Sequence, residues 1–243
     1  MKHNSSGRRL LLLFVTLLGA VAFASAQSPE LQQKIAEVKQ AAAENKQALA
    51  QYTWTEQVTI SLKGEQKKQE HFQVRLGPDG KPQKQSLDPP AQPEASNDAG
   101  GRRGGRVKEH VVEKKTEEYK DYADQIKSLI EQYVPPQKEM LEQAAQKGNI
   151  ALSPQPGAQG QYRLAITNYI KQGDNMTLLF DKARKQLASI TIATYLNDPK
   201  DAVNVTVDFA SEPGGLSHVA SQTINGVSKQ LTIAIQNSNY QHL

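Results

Sequence analysis

Residues that could perform chemistry are few in this 243-residue chain, and they are widely spaced. The chain has no cysteine, which excludes disulfides, thiolate metal sites and a cysteine nucleophile. Beyond residue 26 the histidines are His71, His110, His218 and His242, and no two of them have the spacing of a helical zinc site. We interpret each as a surface residue and predict neither a metal site nor a cofactor.

Motifs for nucleophilic catalysis and phosphate binding do not occur in the sequence. There is no Gly-x-Ser-x-Gly elbow, and the glycines between 100 and 105 lack the Lys and Ser/Thr of a phosphate-binding loop. Asp198 and Asp201 could approach a cation, but Pro199 and Lys200 between them favour a plain turn. Because no acid, base and nucleophile occur as a set, the sequence predicts that the protein is not an enzyme.

Aromatic and aliphatic residues offer a different kind of site. Trp54 is the only tryptophan, and Tyr119, Tyr122, Ile126 and Leu129 follow within one stretch of the chain. Side chains of this kind, with few polar groups, line pockets for apolar ligands. Two interpretations stay open: Trp54 anchors the core between the first strand and the first helix, or all five residues line an apolar pocket beneath a helical lid.

The first 26 residues have the three parts of a secretory signal peptide. Lys2, Arg8 and Arg9 supply positive charge, residues 10–22 are apolar, and Ala24-Ser25-Ala26 supplies the small residues that a signal peptidase reads. We predict cleavage after this segment, no transmembrane segment in the remainder, and a periplasmic or secreted protein.

Removal of the signal peptide also changes the charge balance. It takes away three of the 29 basic residues and leaves 26 basic against 25 acidic side chains, a net charge of +1. A chain so close to neutral is not expected to bind nucleic acid.

Hydrophobic periodicity predicts the elements that position these residues. Pro29 to Tyr52 has apolar residues at helical spacing. The period then changes to two, which predicts strands at 54–62 and 72–76 around a turn at Lys63-Gly64, and a short strand at 83–87.

The central part of the chain changes character twice. Residues 88–106 hold three Pro, four Gly and few apolar side chains, which predicts a flexible loop. Val107 to Tyr133 and Gln137 to Lys147 then have helical patterns. We therefore predict a helical insertion at 107–147.

From residue 149 onward, short alternating runs separated by turns predict further strands, about ten in all. Asn225-Gly226 lies between two such runs and is a strong hairpin signal. The predicted fold class is α+β, in which residues 27–243 form one β-rich domain. Its antiparallel sheet has one face covered by the N-terminal helix and the insertion.

The order of these elements resembles the periplasmic lipoprotein-carrier and outer-membrane lipoprotein-sorting superfamily. The resemblance rests on the signal peptide, the amphipathic helix, strands beginning Tyr52-Thr53-Trp54-Thr55, the helical insertion and the long antiparallel run. It implies an open, curved half-barrel with helices on its concave side, where acyl chains bind and lipoproteins are carried. Arg75, Arg163 and Arg184 are all candidates for the arginine that locks the lid in that superfamily.

The sequence also resembles uncharacterised exported bacterial proteins that end in a segment like Asn237-Ser238-Asn239-Tyr240, and these imply no activity.

Two functions follow from this fold. The first is a non-catalytic exported protein that binds an apolar or amphiphilic ligand, such as a lipid or a lipoprotein acyl chain, between sheet and helices. The alternative is a structural or protein-interaction module of the cell envelope, whose loop 88–106 and charged helix dock an envelope protein. An aliphatic and aromatic cavity above roughly 300 Å³ favours the first, and a filled interior favours the second.

Overall fold

The computed structural model describes Gln33, Gln40 and residues 44–89, 105–134, 136–184, 186–213 and 215–243, with backbone alone at 105–116 and at Lys138. The predicted signal peptide lies outside the described residues. So do most of the predicted N-terminal helix and most of the predicted loop 88–106.

Ten antiparallel strands form one open sheet, which confirms the predicted strand number and the α+β class of a curved half-barrel. The sheet order is β3-β2-β1-β10-β9-β8-β7-β6-β5-β4, so the first and last strands of the chain pair in its middle. The strands are β1 (Tyr52–Leu62), β2 (Glu65–Leu76), β3 (Pro82–Ser86), β4 (Ile150–Pro154), β5 (Gln161–Thr167), β6 (Asn175–Asp181), β7 (Gln186–Tyr195), β8 (Ala202–Ser211), β9 (Ser217–Gly226) and β10 (Leu231–His242).

The insertion connects the two edge strands, β3 and β4, and contains a long helix, Gly105–Ile130, and a short helix, Lys138–Gln146. The long helix begins two residues before the predicted start and ends three before the predicted end, because the backbone turns at residues 131–133. Residues 44–49 are helical, but Tyr52 belongs to β1 because it pairs with His242.

One predicted hairpin turn is confirmed and the other is wrong. Lys63 and Gly64 both have positive φ, 55° and 80°, as a two-residue hairpin turn requires. Asn225 and Gly226, in contrast, are the last residues of β9, and the turn to β10 lies at 227–230.

The hydrophobic core lies on the inward face of the sheet. Side chains two apart on a strand share a face, and the register places Met176, Ile192, Val205 and Ile224 side by side across β6, β7, β8 and β9. The long helix packs on these strands through the buried side chains of Tyr122, Ile126, Leu129 and Ile130, and Tyr133 in the turn after it adds to the same core. The prediction that the helical insertion covers one face of the sheet is therefore confirmed, and the part predicted for the N-terminal helix lies mostly outside the described residues.

Candidate functional site

The five residues predicted to bind a ligand fall into two places. Tyr122, Ile126 and Leu129 are at most 5% exposed in the core cluster, and Tyr119 is partly exposed on the same helix. Trp54 is equally buried but lies outside that cluster, where its indole stacks on Tyr240 with ring centres 5.5 Å apart and planes 14° apart. The structure therefore groups the helical residues and separates Trp54 from them.

A β-bulge gives Trp54 its aromatic partner. Thr53 pairs with Gln241 and Thr55 with Ser238, so Trp54 alone faces two residues of β10. Asn239, one of the two, has a φ of 55°. A bulge redirects the side chains beside it, and here Tyr240 stacks on the indole.

Polar side chains surround this stack, and we call Trp54, Glu56, His218, Asn237 and Tyr240 the Trp54 cluster. The prediction that His218 is a surface residue is wrong, because its contacts leave it 6% exposed. The His218 ring lies 3.8 Å from the Tyr240 ring, centre to centre, and its Nε2 is 3.1 Å from Glu212 Oε1. Tyr240 and Asn237 both donate to the carbonyl oxygen of Val219, over 3.2 and 3.0 Å. The sequence shows that Glu56 shares a face with Trp54, but it carries no signal for the β10 partners.

Two carboxylates shape the electrostatics of the Trp54 cluster. Glu56 is buried and forms an ion pair with the Lys84 ammonium group, whereas Glu212 faces His218. Burial raises the pKa of the Tyr240 hydroxyl, and the negative charges of Glu212 and Glu56 raise it further. Tyr240 is therefore an uncharged hydrogen-bond donor at neutral pH.

Two polar atoms of the Trp54 cluster are unsatisfied. Trp54 Nε1, a donor, and Asn237 Oδ1, an acceptor, are both buried and have no hydrogen-bond partner among the residues that the structure describes. Leaving a buried polar atom unpaired costs about 1–3 kcal/mol. A small group that both donates and accepts would satisfy the two atoms together.

An apolar strip continues from the Trp54 cluster along β1 and β10. It consists of Val58, Ile60, Ile233 and Ile235, where Val58 lies opposite Ile235 and Ile60 opposite Ile233. All four side chains are partly exposed. Ile224 lies beside Ile233 on β9 but is buried in the core cluster. Ile60 and Ile233 also pack against the core cluster, so the inward face of β1 and β10 is only partly covered along this strip.

A concavity lies on one flank of the long helix, between this helix and the loops that hold Lys171 and Asn197. Its volume is about 530 Å³. Lys171 borders it, and its ammonium group donates to the carbonyl oxygens of Tyr195 and Leu196 over 2.7 and 2.5 Å. Most of the lining is polar: Asp121, Asp124, Gln125, Ser128, Leu129, Gln132, Lys171, Leu196 and Asn197. This helix groove does not have the aliphatic and aromatic lining that an acyl chain needs.

Polar side chains hold the long helix on the sheet at two points. At one, the Tyr122 hydroxyl donates to Asp201 Oδ1 over 2.8 Å, and Glu118 pairs with Lys229. At the other, the Tyr133 hydroxyl donates to Asp174 Oδ2 over 2.6 Å. The helix is therefore fixed over the strands on either side of β8.

Burial of Tyr133 predicts a loss of stability at high pH. Burial and the hydrogen bond to Asp174 raise the pKa of this phenol. The unfolded chain releases the proton first, so the contribution is complete below the unfolded pKa of about 10 and is lost as the pH rises above it. Tyr133→Phe is expected to make the fall in unfolding free energy above pH 10 less steep, measured by urea unfolding at several pH values. Equal slopes in both proteins would contradict the assignment.

Two other kinds of site are absent from the described part of the chain. No three His, Asp or Glu side chains there come together as a group that could hold a metal ion. No described helix has the length and apolar character needed to cross a bilayer.

Comparison with known proteins adds little to this geometry. No protein-family model matches the chain, and no curated protein matches it. One solved structure is similar, the crystal structure of a DUF1329 family protein from Desulfovibrio piger. The two share 12% sequence identity with a TM-score of 0.40, over 86% of this chain and 92% of that chain.

Proposed function

We propose that this chain is a non-catalytic exported protein that binds an apolar or amphiphilic ligand, such as a lipid or a lipoprotein acyl chain, on the inward face of its half-barrel. The observation that carries the proposal is the apolar strip. Four aliphatic side chains stay partly exposed there, on the face whose core on β6 to β9 is buried beneath the long helix.

The residues predicted from the sequence flank this strip at both ends. Trp54 precedes the strip on β1. At the far end of the strip, Tyr122 packs against Gly226, which pairs with Leu231 at the start of β10. Tyr119 interacts electrostatically with Lys229, in the turn just before β10. Ile126 also packs against Gly226. In this proposal the aromatic side chains contact the two ends of a bound acyl chain, and Ile126 and Leu129 hold the long helix in place beside it.

The free energy available is sufficient for binding. Burial of one methylene contributes about 0.8 kcal/mol, so about ten methylenes contribute roughly 8 kcal/mol before the entropy cost of binding is subtracted. A dissociation constant of about 1 μM corresponds to about 8 kcal/mol. A chain somewhat longer than ten carbons would therefore bind usefully.

The state of the buried ionisable groups supports a role without catalysis. Asp174 accepts four hydrogen bonds inside the fold, and Glu56 is paired with Lys84. His218 faces Glu212 and contacts the Tyr240 ring at a tilt. These groups act on each other and on the backbone, and we assign none of them to a reaction.

A displacement titration tests the proposal. A fluorescent fatty-acid analogue is added to the folded protein and displaced by unlabelled lipid, with Trp54 emission as a second signal. The double variant Ile60→Ala/Ile235→Ala is expected to bind at least about tenfold more weakly, because it removes apolar surface from the strip. Thr59→Ala, on the other face of β1, is the matched control and should bind as the parent does. Absence of saturable binding by folded protein would contradict the proposal.

The alternative, an interaction module of the envelope, is favoured by a different observation. The long helix packs tightly on the sheet, and the polar helix groove on its flank presents exposed Asp121 and Asp124. If no lipid binds, pull-down of an envelope protein with and without residues 88–106 separates this role from the first. A specific partner lost with that segment would support it.

A further inference from the structure

We infer that the Trp54 cluster binds the uncharged, hydroxyl-bearing head group of an amphiphile whose chain lies along the apolar strip. The inference rests on the proposed function and names the class of ligand. That class is a neutral glycerolipid such as a monoacylglycerol, rather than a fatty-acid carboxylate.

The two unsatisfied atoms carry the inference. Trp54 Nε1 needs an acceptor and Asn237 Oδ1 needs a donor. Asn237 lies directly opposite Glu56, and Glu56 is two residues from Trp54 along β1. The side chains of Trp54 and Asn237 are therefore diagonal neighbours on one face of the sheet. A hydroxyl group donates and accepts at once. Hydroxyls of one head group would therefore satisfy both atoms, whereas a methyl group would satisfy neither.

The polarity of the inward face matches such a molecule along its length. On β1 it changes from Trp54 and Glu56 to Val58 and Ile60, and on β10 from Asn237 to Ile235 and Ile233. From Glu56 to Leu62 the strand spans six residues, about 20 Å. One molecule can thus place a polar head at the Trp54 cluster and its chain along the strip.

The charges around the Trp54 cluster select against an anionic head group. The carboxylates of Glu56 and Glu212 act on Tyr240, and the Lys84 ammonium group is already paired with Glu56. With a neutral His218, the two carboxylates and one ammonium group leave one net negative charge, so a ligand carboxylate placed there would be repelled. The rim of the cluster faces solvent, because Asn237 and Tyr240 are partly exposed and the Lys84 side chain is 40% exposed. Trp54 Nε1 and Asn237 Oδ1 lie beneath this rim, so the proposed head group reaches them only when a rim side chain moves aside.

The first test compares lipids that differ only in the head group. Monooleoylglycerol and oleate are titrated against an apolar fluorescent probe bound to the wild-type protein at neutral pH. We expect monooleoylglycerol to displace the probe at about tenfold lower concentration, since loss of hydrogen bonds and like-charge repulsion both weaken oleate. Equal or better displacement by oleate would overturn the inference.

The second test removes the two atoms separately. Trp54→Phe deletes the indole nitrogen but keeps a ring against Tyr240, and Asn237→Leu deletes the amide at similar size. Each is expected to weaken monooleoylglycerol about three- to tenfold, the effect of one hydrogen bond, with little change in the affinity for the apolar probe. Gln236→Leu, on the exposed face of β10, is the matched control. Trp54→Phe keeps the test decisive if Asn237→Leu fails to fold.

The outcomes separate the two proposals. If the wild-type protein does not bind the apolar probe, both the proposed function and the head-group assignment fail. If the probe binds but neither variant changes the affinity for monooleoylglycerol, only the head-group assignment is overturned. In that case the two atoms belong to an internal structural site.

Discussion

Asp174→Ala is expected to lower the free energy of unfolding by about 3–5 kcal/mol, a large part of the total stability of a typical domain. The carboxylate is 1% exposed and accepts four hydrogen bonds. Three come from the backbone nitrogens of Tyr169, Ile170 and Lys171, over 2.6, 2.9 and 2.8 Å, and the fourth comes from the Tyr133 hydroxyl over 2.6 Å. Alanine would leave these donors without an acceptor, at about 1–3 kcal/mol for each that water does not reach.

Asp174 connects several parts of the fold, which increases the loss of stability expected when it is substituted. It orders the loop between β5 and β6, and through Tyr133 it also fixes the turn after the long helix to the sheet. Thr194 on β7 takes part in the same network, with its Oγ1 2.7 Å from the Tyr133 hydroxyl oxygen. Loss of this one carboxylate therefore loosens a loop, a helix end and a strand together.

Matched variants separate the buried carboxylate from an ordinary turn aspartate. Asp198→Ala is the control, because exposed Asp198 accepts one backbone hydrogen bond, from Lys200 over 2.8 Å. We expect it to cost less than about 1 kcal/mol. Tyr133→Phe, which removes only the fourth hydrogen bond, should cost about 1–3 kcal/mol and remain folded if Asp174→Ala does not. Urea unfolding measures all three, and equal costs for Asp174→Ala and Asp198→Ala would contradict the assigned role.

The sequence predicts much of the fold because the signals for it are local. Alternating apolar residues and the turn residues Lys63-Gly64 depend only on neighbours in the chain, and the structure has the strands and that turn where these signals predict them. Pairing of the first strand with the last has no local signal. The sequence therefore predicts about ten strands but not that β1 and β10 lie side by side.

The same limit applies to the candidate site. Trp54 and Glu56 are two residues apart on one strand, so their shared face can be read from the sequence. Tyr240 reaches Trp54 only because Asn239 forms a bulge, and His218 reaches Tyr240 only through the pairing of β9 with β10. The composition of the site depends on register across distant strands, which a single sequence does not specify.

Gly226 shows that an Asn-Gly pair can occur in a strand for a reason other than a hairpin turn. Asn-Gly between two alternating runs predicts a hairpin turn, yet Gly226 is a buried strand residue paired with Leu231. A Cβ atom at this position would lie 2.6 Å from Tyr122 Cε1 and 2.8 Å from Ile126 Cδ1. Glycine within a strand marks a close approach by another part of the chain, and here it lets the long helix approach the sheet.

Gly226→Ala is therefore expected to destabilise the protein by about 1–3 kcal/mol, and Gly226→Val by more, because either side chain overlaps the helix. The overlap can be relieved from the other side, since Ile126→Ala removes one of the atoms that the new Cβ would meet. In a double-mutant cycle the two substitutions should together cost at least about 0.5 kcal/mol less than the sum of their separate costs. Strict additivity in urea unfolding would show that the helix does not rest on this glycine. If the helix rests on this glycine, the coupling energy between Gly226→Ala and Ile126→Ala is negative, although the two residues are 100 positions apart in the chain.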